Sequence, residues 1–504
     1  MFPRRTHALV PSIFAALTSS CSAERAGPNE RGGSHEPGAD RPLAAASSSG
    51  GAQRAGGSSS DRSSLGGGLV APGGPRVASS DAADAADAAG AAMPGSDGGD
   101  EPGLAPRELP LGPDGYLDLS PPLGEPFDRA GGVALNPPPP PGWTWYSVAG
   151  TSCRDGSEAG IFIRYAESKR LLIFFEGGGA CTTAGFCRFN PQNVDTVLSG
   201  NGESVLGSAL GAVPGRQQPG AYQGGEVTGI FDVNRQENPF KDWNVVYIPY
   251  CTGDVHFGTR ADARVPGVAE PQRFVGFFNT QTFVGRLVPT FAEGLERVVV
   301  AGSSAGSFGA ALHFSMISDA FAGVQTDALL DSGAPFEDRY WPTCLQQRWR
   351  ELFGLNDGLP PDCAECFNAD GGGLVELSDF LLRKHPTARI ALVSSMQDEV
   401  IRLFFTPGEN DCSLIDTADP IAVTLGQLTG AGLFPAQKYE AGLLGVRARY
   451  LPTGRLASYF LAGSNITLHQ HTWRPRFFDT SAGAQSLAAF VQDFLDGQVK
   501  QLGP

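Results

Sequence analysis

Glu296-Arg-Val-Val-Val-Ala-Gly-Ser-Ser-Ala-Gly-Ser307 decides how the rest of the chain is read. Val298 to Val300 form a short, wholly apolar run of the kind that suits a strand buried on both faces of a parallel sheet. Gly302-Ser303-Ser304-Ala305-Gly306 follows at once, and Ser307 to Ile317 then has helical spacing. A bare Gly-x-Ser-x-Gly is weak in a chain with 67 Gly. Between a buried strand and a helix, however, it reads as a nucleophile elbow, a sharp turn that lifts one serine above the sheet. The register of the two glycines selects Ser304 over Ser303, and side chains at Gly302 or Gly306 would clash in such a turn. The N–H of Ala305, at the start of the helix, is then one oxyanion donor.

Outward from the elbow, the chain alternates apolar runs and helical stretches. Ile161–Tyr165, Leu171–Phe175, Val245–Pro249, Ala328–Leu330 and Ile390–Val393 read as strands, and Thr282–Leu295 reads as a helix. This is the rhythm of an α/β fold with a mostly parallel central sheet and flanking helices. Leu171-Leu-Ile-Phe-Phe ends in Glu176-Gly-Gly-Gly-Ala-Cys181, a glycine run that lets backbone approach a ligand and offers further oxyanion donors. In this fold the triad order is Ser, acid, His. Asp398, just past the run Ile390–Val393, is the candidate acid. Asp331 lies too close to the nucleophile strand and reads as a brace for its local turn. Of the seven His, His469 and His471 follow the run Tyr459–Ala462. Two residues apart in an extended segment, they face the same way, so direction does not separate them. His471 is the favoured base because it stands further out and precedes Thr472-Trp473, with His469 the alternative. A metal reading of His-x-His lacks a carboxylate cluster to complete it.

Composition bounds the rest. Lys+Arg 37 against Asp+Glu 53 gives a formal charge of −16, which argues against a nucleic-acid partner. Residues 1–21 read as a signal peptide: basic start, short apolar run Ala8–Leu17, then small residues before Cys21. A cysteine there suggests a bacterial lipoprotein signal, so any membrane attachment would be through a lipid on Cys21. Residues 22–140 are rich in Gly, Ser, Ala and Pro and read as a flexible tether. Pro137–Pro141 mark the boundary, and 141–504 is the folded domain. Apart from Cys21, eight cysteines remain, an even number suited to disulfides in an exported chain. Cys363-Ala-Glu-Cys366 reads as a structural disulfide rather than half a zinc site.

With these residues in view, the sequence resembles the pectin acetylesterase and Notum family of carboxylesterases. Cys153-Arg-Asp-Gly-Ser-Glu-Ala-Gly-Ile-Phe-Ile-Arg164, Phe175-Glu-Gly-Gly-Gly-Ala-Cys181, Asn238–Asp254, Ala301–Gly306 and Asp331-Ser-Gly-Ala334 carry the likeness in the family's order. The resemblance implies an α/β-hydrolase-like fold and ester hydrolysis through Ser304, Asp398 and a late histidine, with no metal or organic cofactor. It maps the oxyanion donors onto Gly178, Gly179 and Ala305, and it implies the pairs Cys181–Cys187 and Cys153–Cys251. Ala180 stands where many members carry an aromatic residue. Asn465-Ile-Thr-Leu-His-Gln-His does not align cleanly with the family's Ser-Cys-x-x-His. Asp254 and His256 read as turn-capping and packing groups, with pocket lining the alternative. The expectation is a monomeric, exported serine esterase of a bacterium acting on an acyl, chiefly acetyl, ester, with acetylated polysaccharide among the candidate substrates. The rival is a catalytically silent surface binding protein on the same fold.

Overall fold

A computed structural model of the chain describes residues 123–133, 141–194, 227–413, 415–416 and 433–504. The signal-peptide and Cys21 readings, and most of the tether, lie outside these residues. The stretch 123–133, assigned by composition to the tether, is part of the folded domain. Phe127 is buried, its ring centroid 4.9 Å from that of Tyr146, and its N–H donates to Thr290 Oγ1. Tyr146 in turn donates its hydroxyl to Asp128 O. Phe127, with the bonds from Gly124 N to Gly285 O and from Val133 N to Trp145 O, anchors a segment that is otherwise Gly- and Pro-rich.

The apolar runs become the strands of one nine-stranded sheet, ordered β1-β2-β4-β3-β7-β8-β9-β10-β13. These are β1 (Trp143–Ser152), β2 (Glu158–Arg164), β3 (Arg170–Phe175), β4 (Asn244–Ile248), β7 (Arg297–Ser303), β8 (Gln325–Asp331), β9 (Ile390–Ser395), β10 (Leu456–Leu461) and β13 (Gln501–Leu502). Two short hairpins, β5 (Arg260–Ala263) with β6 (Gln272–Phe274) and β11 (Ser481–Ala482) with β12 (Gln485–Ser486), stand apart. From β4 across to β13 every pairing is parallel, whereas β1 and β2 run antiparallel at one edge. The central strands are buried throughout their apolar length, as strands covered on both faces must be. The helix Ala305–Ala320 is buried on nearly every side, which accounts for its weakly amphipathic sequence. The fold is α/β-hydrolase-like, as the alternation of runs implied.

Register places the chemistry. Phe175 pairs with Gly302, Ser303 with Asp331, Asp331 with Val393, and Ser395 with Leu461. The carboxyl ends of β3, β7, β8, β9 and β10 therefore lie along one edge, where open α/β sheets hold their ligands.

Four disulfides, Cys153–Cys251, Cys181–Cys187, Cys344–Cys412 and Cys363–Cys366, use all eight cysteines of the folded domain. The first two are those the family resemblance implied. Among the described residues, no helix is long and apolar enough to cross a membrane.

Candidate active site

Ser304 sits between β7 and the helix Ala305–Ala320 with φ 58° and ψ −125°, a conformation a non-glycine residue adopts only under constraint. Its N–H donates to Asp331 O at 2.8 Å, and its carbonyl accepts from Ser307 and Phe308. The flanking glycines are obligatory. A Cβ on Gly302 would land on the Gly306 carbonyl, and one on Gly306 would land on Phe175 O. The strained turn and the two close approaches together have the geometry expected of a nucleophile elbow.

The glycine loop after β3 runs directly past this serine. A Cβ on Gly177 would lie 2.8 Å from Ser304 Cβ. Gly179 has φ +81°, a left-handed conformation that suits glycine. The Gly178 carbonyl accepts from Asn190 Nδ2, and the Gly179 carbonyl accepts from Tyr250 Oη at 2.8 Å. Because a trans peptide points its N–H opposite to its C=O, these two anchors turn the N–H groups of Gly179 and Ala180 away from Asn190 and Tyr250. Glu176 supports the loop from below. Its buried carboxyl accepts from Tyr250 N, and burial pushes it up to about 8.

Asp398 lies three residues past β9 and is fully buried. It caps the helix Glu399–Phe405, its Oδ1 accepting from the N–H groups of Val400 and Ile401 at 3.0 Å each. The same carboxylate meets His469 Nδ1 at 2.8 Å through Oδ2 and 3.0 Å through Oδ1. The structure thus pairs Asp398, the expected acid, with His469, which corrects the expectation that His471 is its partner. His471 is buried with its Nε2 3.2 Å from Ser395 Oγ. Burial holds its imidazole well below the usual histidine range, and the charges of Arg476, His469 and Arg474 act in the same direction. Proton uptake there would create an imidazolium in a dry site beside cations.

The physical reason lies in the residue between them. Gln470 has φ +63°, so the segment is not extended and the two imidazoles point to different places. The loop is stitched on both sides. Gln397 N donates to Ile466 O at 2.7 Å and Glu399 N to Thr467 O at 3.2 Å, tying the approach to His469 against the Asp398 loop. Beyond it, Gln470 N donates to Ser332 Oγ, and Asp331 Oδ2 accepts from His471 N, Thr472 N and Thr472 Oγ1 at 2.7–2.8 Å. Asp331 braces the histidine loop as well as its own corner. Nothing local in the sequence marked that role, although an Asp-Ser pair closing a buried strand was a signal that some distant backbone needed acceptors.

Asp254 and His256 are structural in their contacts. Asp254 accepts from Thr252 Oγ1, Gly258 N and Gly276 N, and burial raises it to about 6. His256 Nε2 lies 2.7 Å from Glu176 O, and burial lowers it to about 4. Among the described residues, no group of three His, Cys, Asp or Glu side chains is placed to hold a metal ion.

A pectinacetylesterase family model matches residues 145–368, a span that contains the glycine loop and the elbow. The matched region is thus similar to the pectinacetylesterase family. The loops that carry Asp398 and His469 lie beyond the matched span. Palmitoleoyl-protein carboxylesterase notum2 of Xenopus laevis is 30% identical over 197 residues, 38% of this chain and 36% of that protein. The human palmitoleoyl-protein carboxylesterase NOTUM is 30% identical over 191 residues, 36% of this chain and 34% of that protein. The chain thus spans little more than a third of the length of these curated relatives. Among solved structures, the Wnt deacylase Notum from Drosophila is similar with a TM-score of 0.47 and 20% identity, over 71% of this chain and 95% of that one.

Proposed function

We propose that this protein is an exported serine carboxylesterase in which Ser304 is the nucleophile, His469 the base and Asp398 the acid. The observation that carries this reading is the Asp398–His469 Nδ1 contact at 2.8 Å, on the same sheet edge as the strained Ser304 elbow. With Nδ1–H held by the carboxylate, the imidazole is fixed in the tautomer whose Nε2 is free to accept a proton. Ser304 Oγ attacks the ester carbonyl carbon as His469 Nε2 takes its proton. The oxyanion is met by backbone N–H groups of Gly178, Gly179 and Ala305, as the resemblance maps them, with Ala180 N–H a further donor of the same loop. Collapse expels the alcohol, which leaves with the proton from His469. Water, activated by the same imidazole, then releases the acid from the acyl-enzyme. Losing one such donor typically costs roughly 10²–10³ in turnover.

Acetyl esters, including those of acetylated polysaccharides, are the proposed substrates, and small Ala180 shapes the wall of the glycine loop. Four disulfides fit passage into an oxidising compartment. The signal at residues 1–21 and lipidation of Cys21 remain part of the proposal. The purified protein should hydrolyse p-nitrophenyl acetate and label with a fluorophosphonate probe, and Ser304→Ala should abolish both. A wild-type protein that folds but does neither is the silent binding protein instead.

A further inference from the structure

Gln470 has the features of a working donor, and the sequence reading passed over it. The residue is held in a left-handed backbone conformation, φ +63°, by the bond from its N–H to Ser332 Oγ at 2.9 Å. It is 7% exposed. Its Oε1 accepts from Arg474 Nη2 at 2.8 Å, and the Arg474 guanidinium lies 4.0 Å over the Trp473 ring. A guanidinium has only donors, so this contact sets the amide's orientation: Oε1 faces Arg474 and the NH2 group faces the other way. That way is the active site. Gln470 Nε2 lies 2.8 Å from the point a Cβ on Gly177 would occupy, and Ser304 Cβ lies 2.8 Å from the same point. No hydrogen-bond partner for Nε2 occurs among the described residues. Gly177 is therefore tightly packed: the same point lies 2.5 Å from Ser303 O, so no side-chain carbon fits where the nucleophile and the fixed amide donor converge.

We infer that Gln470 is a substrate-contacting residue whose Nε2–H donates to an oxygen of the acyl ester bound at Ser304. The inference rests on the serine-esterase reading above. A preorganised donor of this kind helps most where charge develops on oxygen, because its orientation is settled before the reaction begins. Gln470 is also covalently next to His469, so the loop that delivers the base delivers this donor too. The backbone donors and Gln470 reach the site from separate elements, the glycine loop and the helix start on one hand and the histidine loop on the other.

The test compares Gln470→Met, which keeps length and removes both polar atoms, with Gln470→Glu, which keeps the acceptor for Arg474 and removes the donor. With p-nitrophenyl acetate as substrate, both variants should lose kcat by roughly tenfold to a hundredfold. KM should change little, and the thermal midpoint should stay close to that of the parent. Gln470→Glu should also move the pH–rate profile upward, since a carboxylate beside His469 favours the imidazolium. Either variant retaining kcat within about twofold of the parent would overturn the inference. So would losses explained by unfolding of both variants at the assay temperature. An inactive parent would instead sink the esterase reading, which separates the two failures.

Discussion

The serine elbow and the histidine loop are both turns at the carboxyl edge of one sheet, yet they are built by different means. The elbow is closed by its own neighbours in sequence. Gly302 and Gly306 make the room, and β7 and the helix Ala305–Ala320 hold its ends. The histidine loop is shaped by groups far away in the chain: Asp398, Gln397 and Glu399 on one side, Asp331 and Ser332 on the other. A turn of the first kind can be read from a dozen residues. A turn of the second kind depends on which distant acceptors its backbone finds, and a single positive φ at Gln470 reverses which imidazole faces the acid.

The largest effect expected from breaking this contrast is at the junction of the two regions. Asp398→Asn preserves shape but removes the carboxylate that fixes the His469 tautomer. We expect kcat for p-nitrophenyl acetate to fall by about 10⁴ with the fold retained. A fall of less than tenfold would mean that the acid lies elsewhere.

Asp331→Asn should act through position. The three donors on Oδ2 would face an amide in place of a charge, and the loop would loosen. Roughly 10²-fold in kcat is the expected cost, since misplacement of a base by about 1 Å has effects of that size. Fluorophosphonate labelling of Ser304 should slow in parallel. Unchanged kcat would show that the histidine loop is self-supporting, like the elbow.

Glu176→Gln gives the smallest effect, and on stability rather than rate. Burial raises Glu176 to about 8 in the folded protein, above its ordinary 4.5. The native state therefore keeps a proton that the unfolded chain gives up. Its contribution is fully present below about 4.5 and is lost as pH rises toward 8 and through it. Thermal midpoints of the parent should decline across this window more steeply than those of Glu176→Gln. Identical slopes would show that Glu176 is not the titrating group.

The sheet was legible because its strands are buried on both faces and so appear as unbroken apolar runs, Leu171–Phe175 and Val298–Val300 above all. The edge was less so. The antiparallel pairing of β1 and β2 has no separate signature, and 123–133 is held by Phe127 together with the bonds from Gly124 N to Gly285 O and from Val133 N to Trp145 O, which composition does not reveal. At the site, Ser304 and Asp398 could be placed from strand ends. Distance from the strand and the following Thr472-Trp473, which favoured His471, say nothing about which imidazole meets the acid: Gln470 has a positive φ, the Ser332 and Asp331 contacts lie 138–141 residues away in sequence, and it is His469 that meets Asp398.

The histidine assignment therefore tests the account most directly. His469→Ala and His471→Ala should be compared for kcat on p-nitrophenyl acetate, with thermal midpoints measured alongside. His469→Ala should lose about 10³-fold or more while remaining as stable as the parent. His471→Ala should keep most of its kcat and lose stability, because it empties a buried site. A His471→Ala protein that is folded but inactive, beside an active His469→Ala protein, would contradict the account.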